Sequence, residues 1–186
     1  MGELHVNYYE NLGRNIFQNF LNLTFCTSIL FSTNLYSKTD VEFTSLKNNK
    51  CIAEIKYRLI EAGEYRDLII EKNKYEELKS NYLLKNKIPI YVTITNDNHI
   101  FIQDLREYIK NDSLIFEQRY LQVNDYELSN YKWKTVSYLP IDSPNTKIYK
   151  IDNSRLEKVN ASDIEYIEKD YFKLGNEILK KYNDII

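Results

Sequence analysis

Residues Thr39 to Arg58, TDVEFTSLKNNKCIAEIKYR, hold the groups with the clearest chemical potential in this chain. Asp40 opens a short alternating segment, and Glu54 and Lys56 interrupt an otherwise apolar run of Ile52, Ala53, Ile55 and Tyr57. Strand alternation sets Ile52, Glu54 and Lys56 on one face, with Ala53, Ile55 and Tyr57 on the other. Side chains two apart on a strand face stand about 7 Å from one another, within joint reach of a carboxylate and an ammonium group. A carboxylate delivered by the preceding strand completes a pair of hard oxygen ligands suited to Mg²⁺, with the Ile55 carbonyl as a third donor and Mn²⁺ as a substitute ion. A lysine beside them orients an attacking water and offsets charge growing on phosphorus. The chemistry so specified is phosphodiester hydrolysis. The plainer reading is a solvated sheet face, and Glu42, which shares Asp40's face, is a rival ligand.

Those residues need elements to position them. From Tyr8 to about Leu23, Leu12, Ile16, Phe17, Phe20 and Leu21 recur at helical spacing, with Asn7 and Glu10 placed to form a capping box. The stretch TFCTSILFSTNLY reads equally as more helix or as a strand. DVEF and CIAEIKYR, joined by KNNK, predict a β-hairpin. YRDLIIEKNKYEELKSNYLLKNK predicts one helix with Leu68, Ile69, Tyr75, Leu78 and Leu83 on its apolar side. IPIYVTITNDNHIFIQDL predicts a central strand, a turn and a second strand. After Leu105, SLIFEQRYLQV and YKWKTVSYLPI read as strands and DSPN as a turn. A last helix is predicted from Ser162, with Glu165 closing a capping box and Ile164, Ile167, Tyr171, Leu174 and Ile178 along one side.

The leading helix with Glu10, the hairpin with Asp40 and AEIKYR, the helix from Tyr65 to Leu84 and the strand pair resemble the PD-(D/E)xK nuclease superfamily. Within it they look most like Holliday-junction-resolvase-like and phage or mobile-element members. The resemblance covers roughly the first hundred-odd residues, in the α-β-β-β-α-β order of that family. It implies an α/β, restriction-endonuclease-like core with a central mixed sheet flanked by helices, followed by a strand-and-helix extension. A single domain over 1–186 then divides into a core, 1–110, and an extension, 111–186. The resemblance also implies that Asp40 and Glu54 bind the metal, that Lys56 acts with the water and that Glu10 adds a carboxylate. DNA is the implied partner and a homodimer the implied assembly, for which the amphipathic terminal helix predicted above is a candidate interface. Thr39 stands where a proline often precedes the first aspartate of the family, and nothing after Leu105 matches a motif.

Composition tempers this. With 186 residues the chain can bury a sizeable core. A formal net charge of −2 supplies no global attraction for a polyanion, so DNA contact requires local clustering of bases. Arg58, Lys74 and Lys72 are candidate phosphate contacts, each otherwise a solvated charge. Trp133, between Lys132 and Lys134, is a candidate stacking residue, otherwise a core aromatic. Cys26 and Cys51 lack ligand or disulfide spacing, and His5 and His99 have no partner at zinc-site spacing. No apolar run is long enough to span a bilayer, and MGELHVNYYE lacks the pattern of a secretory leader, so a cytoplasmic protein is expected. The rival to the nuclease is a non-catalytic DNA- or protein-binding module on the same fold, an accessory subunit or phage-encoded inhibitor. A purely structural α/β module is the third reading.

Overall fold

The computed structural model describes residues 2–32, 39–122, 131–152 and 155–166. A long helix, α1 (Gly2–Leu23), leads into β1 (Thr27–Phe31) and the hairpin of β2 (Val41–Thr44) and β3 (Lys50–Arg58). Next come β4 (Asp67–Glu71), α2 (Lys72–Lys85), β5 (Ile88–Thr95), β6 (His99–Asp104) and the short α3 (Arg106–Lys110). The chain continues through β7 (Glu117–Gln122), β8 (Tyr131–Pro140), β9 (Thr146–Asp152) and β10 (Arg155–Val159) to a 3₁₀ turn at Ala161–Asp163. Among the described residues no helix is long and apolar enough to cross a membrane.

The strands form a seven-stranded mixed sheet of order β1-β2-β3-β5-β6-β9-β10 and a three-stranded sheet of order β4-β8-β7. In the larger sheet β3 and β5 run parallel, because the crossover between them carries β4 and α2. This is an α/β arrangement with a mixed central sheet. β9 and β10 extend the larger sheet and β8 pairs with β4, so residues after 110 build parts of both sheets.

Alternation along β3 and β5 feeds two cores. Ala53, Ile55, Ile90, Val92 and Ile94 face α1, where Phe17, Phe20 and Leu21 are buried against them. Ile52 and Tyr91 face the opposite way, onto α2 and the smaller sheet, with Ile70, Tyr75, Leu78 and Leu139. Every apolar side chain of β3 and β5 thus has a cover, which explains why β5 reads as a nearly continuous apolar run.

Four local expectations change. The helix expected from Tyr65 begins only at Lys72. Asp67–Glu71 is a strand whose Leu68 and Ile70 are buried while their neighbours are half-buried, a period of two stabilised by pairing with β8. Leu83, expected on the apolar side of α2, is 63% exposed. Helix α1 starts at Gly2, which makes Asn7 and Glu10 interior positions rather than a capping box. Within the undecided stretch after α1, Thr27–Phe31 is strand β1, entered through left-handed Phe25 (φ 55°), and residues 33–36 lie outside the described residues. Near the C-terminus the reciprocal cap joins Asn160 and Asp163, and Ile164 is extended (φ −88°, ψ 115°), so no helix starts at Ser162. Ile167, Tyr171, Leu174 and Ile178, with the helix expected there, lie outside the described residues.

Candidate functional site

Asp40 precedes β2 and is tied into both neighbouring strands. Its N–H donates to the Ala53 carbonyl (2.9 Å), and its carbonyl accepts from Ser32 N–H (2.8 Å). Val41↔Ala53 is the last pair of the β2–β3 register, so Asp40 and Val41 both meet Ala53 where the ladder ends. The Asp40 carboxylate turns into the sheet plane, where Oδ2 accepts the Ile55 N–H at 2.7 Å. It takes the place of a ladder carbonyl at the point where β2 stops. Because a strand residue presents its N–H and C=O to the same side, the Ile55 carbonyl faces this gap too. The other oxygen, Oδ1, accepts from Arg14 Nη2 at 2.7 Å, and Arg14 Nη1 also donates to the Ser32 carbonyl at 2.9 Å.

Glu54 is 1% exposed, yet charged groups meet it from two elements. Its Oε1 lies 2.8 Å from Lys56 Nζ, two residues along β3, and 2.8 Å from Lys74 Nζ, in the first turn of α2. Oε2 is buried without a hydrogen-bond partner. Tyr91 stands opposite Glu54 on β5 and donates its hydroxyl to the Ile69 carbonyl at 3.1 Å, so it closes one wall without serving the carboxylate. Burial raises the Glu54 pKa, Lys56 and Lys74 oppose the rise, and the nearby Asp40 adds to it. Burial works against the Lys56 ammonium ion, but the Glu54 charge outweighs it and the lysine's pKa is raised. Lys56 is therefore a cation here, able to stabilise negative charge or donate a proton rather than accept one. The side chains of Lys56, Lys74 and Asp40 are 27%, 20% and 17% exposed, so the partners of the buried carboxylate touch solvent while it does not.

The other anticipated residues fall at varied distances from this centre. Arg58 follows on the same face of β3 as Glu54 and Lys56, and is half-buried opposite Thr95. Lys74, expected to contact phosphate, instead meets Glu54. Glu10 is exposed one helical turn before Arg14, and among the described residues no three His, Cys, Asp or Glu side chains gather into a cluster. Glu10 does not join the two carboxylates. Glu42 pairs with Lys87 at 2.5 Å, and the Lys72 ammonium lies 5.8 Å from the Phe116 ring centroid. Trp133 is 61% exposed and packs against Tyr120 at 5.5 Å between centroids.

Three members of the site were not anticipated. Arg14 is one, although it occupies the helical stripe of Phe17 and Leu21 at spacings of three and seven, where a charge needs a buried partner. The Lys74 contact is another. The third is Glu71, at the β4–α2 junction, held by Lys134 of β8 at 2.8 Å. No protein-family model, curated protein or solved structure matches this chain.

The donor set available to a hard divalent cation is small, with no group of three His, Cys, Asp or Glu side chains among the described residues. It offers two carboxylates from adjoining strands, one with a bare buried oxygen, beside a backbone carbonyl at the strand gap. Mg²⁺ needs few protein oxygens, since it retains several waters.

Proposed function

We propose that this protein is a Mg²⁺-dependent deoxyribonuclease of the PD-(D/E)xK type, with Mn²⁺ as an alternative ion. One observation carries the reading: Asp40 accepts the Ile55 N–H, directly beside a buried Glu54 that pairs with the strand lysine Lys56. The order of helix, three antiparallel strands, crossover helix and parallel strand supports a restriction-endonuclease-like core around it.

Asp40, Glu54 and the Ile55 carbonyl would hold the ion. When bound, it supplies Lewis acidity toward a phosphoryl oxygen and acidifies a coordinated water. The protein's own residues do the rest. Lys56 holds a positive charge where the pentacovalent phosphorane gains negative charge. Arg58, farther along the same face, is placed to hold an adjacent phosphate. Buried Ile52 and Tyr91 keep the carboxylate face dry, which strengthens each of these charge interactions. A homodimer acting in the cytoplasm belongs to the same proposal.

The test is incubation with supercoiled, linear and branched DNA, with and without Mg²⁺ or Mn²⁺. Wild type should cleave only with metal, and Asp40→Asn and Lys56→Ala should lower the rate by about 10²–10³-fold while retaining a native circular dichroism spectrum. Equal nicking by the variants would refute the assignment. One observation favours a second reading, a non-catalytic DNA- or protein-binding module: Arg14 and Lys74 already neutralise both carboxylates. DNA retention without metal-dependent cleavage would establish that reading instead.

A further inference from the structure

We infer that one face of the β7–β8 ribbon binds single-stranded DNA by stacking its bases on Trp133, Tyr120 and Tyr131. As the strand-holding surface of the proposed nuclease it rests on that reading, although the stacking itself needs neither metal nor cleavage.

The register fixes which side chains share this face. Tyr120 is the cross-strand partner of Trp133, and Gln118 of Thr135, so these four project to one side. Tyr131, two residues before Trp133, joins them. The Tyr120 ring lies 5.5 Å from that of Trp133 and 5.7 Å, stacked, from that of Tyr131, which makes a continuous row of three rings. Farther along β8 the same face is buried, where Ser137 and Leu139 meet Ile70 and Leu68 of β4. β4 pairs with β8 only from Val136 to Pro140, so Tyr131 to Thr135 belong to a two-stranded stretch that extends past it. There Trp133 is 61% exposed.

The chemistry of the row selects its occupant. A ring face attracts planar groups, and every nucleobase offers one irrespective of sequence. In a duplex those faces are already stacked on neighbouring pairs, so the row favours unpaired bases. Gln118 and Thr135, joined by a 2.8 Å hydrogen bond, complete the face without a charge among the described residues. The cations alternate with the rings along the strands: β7 and β8 carry Arg119, Lys132 and Lys134 against the single acid Glu117. In a chain of formal net charge −2, this is a local cluster of the sign that a phosphodiester backbone requires. Arg119 and Lys134 pair with Glu117 and Glu71, and Lys132, exposed beside Trp133, is placed to meet a phosphate of the stacked strand. The Lys134–Glu71 pair also anchors the ribbon beside the candidate site, since Lys56 and Arg58 act on the same carboxylate.

The experiment reads Trp133 directly, because it is the only tryptophan of the sequence. The full chain is titrated in EDTA with an oligothymidylate, with an abasic deoxyribose-phosphate oligomer of equal length and with a blunt duplex, following tryptophan emission. Oligothymidylate should quench the emission saturably and bind at least about tenfold more tightly than either control, as stacked bases require. Anisotropy of a labelled oligothymidylate then measures the variants. Trp133→Ala and Tyr120→Ala should each weaken binding about 5- to 100-fold, and Trp133→Phe should stay within about threefold of wild type. Lys132→Gln should flatten the salt dependence. A native circular dichroism spectrum ties each loss to the face, and the wild-type comparison needs no variant to fold. Absence of saturable quenching, equal binding of the abasic oligomer or the duplex, or unchanged binding by Trp133→Ala would overturn the inference and leave the rings as a staple of the ribbon. A lower mass of Trp133→Ala on gel filtration, with DNA affinity unchanged, would assign the face to a second copy of the chain instead. Quenching by oligothymidylate without metal-dependent cleavage would uphold the inference and refute the nuclease. Cleavage that Asp40→Asn abolishes, with no base-dependent quenching, would do the reverse.

Discussion

Three of the charge pairs in and around the candidate site cross between elements. Arg14 reaches Asp40, Lys74 reaches Glu54 and Lys134 reaches Glu71, each from a different helix or strand. The third pair yields a pH prediction. Burial works to raise the Glu71 carboxyl, but Lys134, Lys56 and Arg58 hold it below its ordinary value of 4.5. Folding therefore favours the carboxylate form. The resulting stability is complete above the ordinary value and is lost as pH falls through the depressed one. Lys134→Met should cost about 1 kcal/mol near neutrality and progressively less in acid. Urea denaturation of both proteins on either side of the carboxylate range checks this, and a cost that does not change with pH would assign Lys134 to packing alone.

At the scale of elements, helix α1 does two jobs. Its Phe17 is fully buried, stacked on Phe20 at 5.6 Å and edge-on to Phe43 at 6.0 Å, while Arg14, one turn earlier, holds Asp40. Phe17→Ala should cost about 3–5 kcal/mol by opening a cavity under the sheet. It should weaken metal binding as well if α1 positions Asp40, and thermal denaturation with a Mn²⁺ titration reads both effects. The α1 stripe, the β2–β3 hairpin and the β5–β6 pair are legible in the residues because each is local: a 3.6 period, a turn between two alternating runs, an apolar run before NDN. Strand β4 was not legible. DLIIE preceding KNKYEELK continues a helical-looking pattern, and only pairing with β8, from Val136 to Pro140, makes it extended. Partners that far along the chain leave no local trace.

For the molecule as a whole, the candidate site lies where the two sheets meet. Tyr91 of the larger sheet bonds the Ile69 carbonyl of the smaller one, and Gln103 bonds the Leu139 carbonyl at 3.2 Å. The loop after β3 is closed from the far end of the chain: Gly63 is left-handed (φ 88°), and a Cβ there would strike the Glu165 carbonyl and Ile164. Gly63→Ala should therefore cost about 1–3 kcal/mol through backbone strain and lost docking of residues 161–166. Thermal melts and limited proteolysis measure the two parts, and an unchanged melt would show that this contact contributes nothing to stability.

The residue order by itself determined that Asp40, Glu54 and Lys56 belong to adjoining extended segments, and that Glu54 and Lys56 share a face. Alternation and turn chemistry act over a few residues, and they suffice for that. Tertiary structure alone decided which cation meets which carboxylate. Arg14 and Asp40 are 26 residues apart, and Lys74 reaches Glu54 from a helix packed on the opposite side of the sheet from α1. Periodicity reports that a face will be covered, whereas the identity of the covering group is set by packing between distant segments.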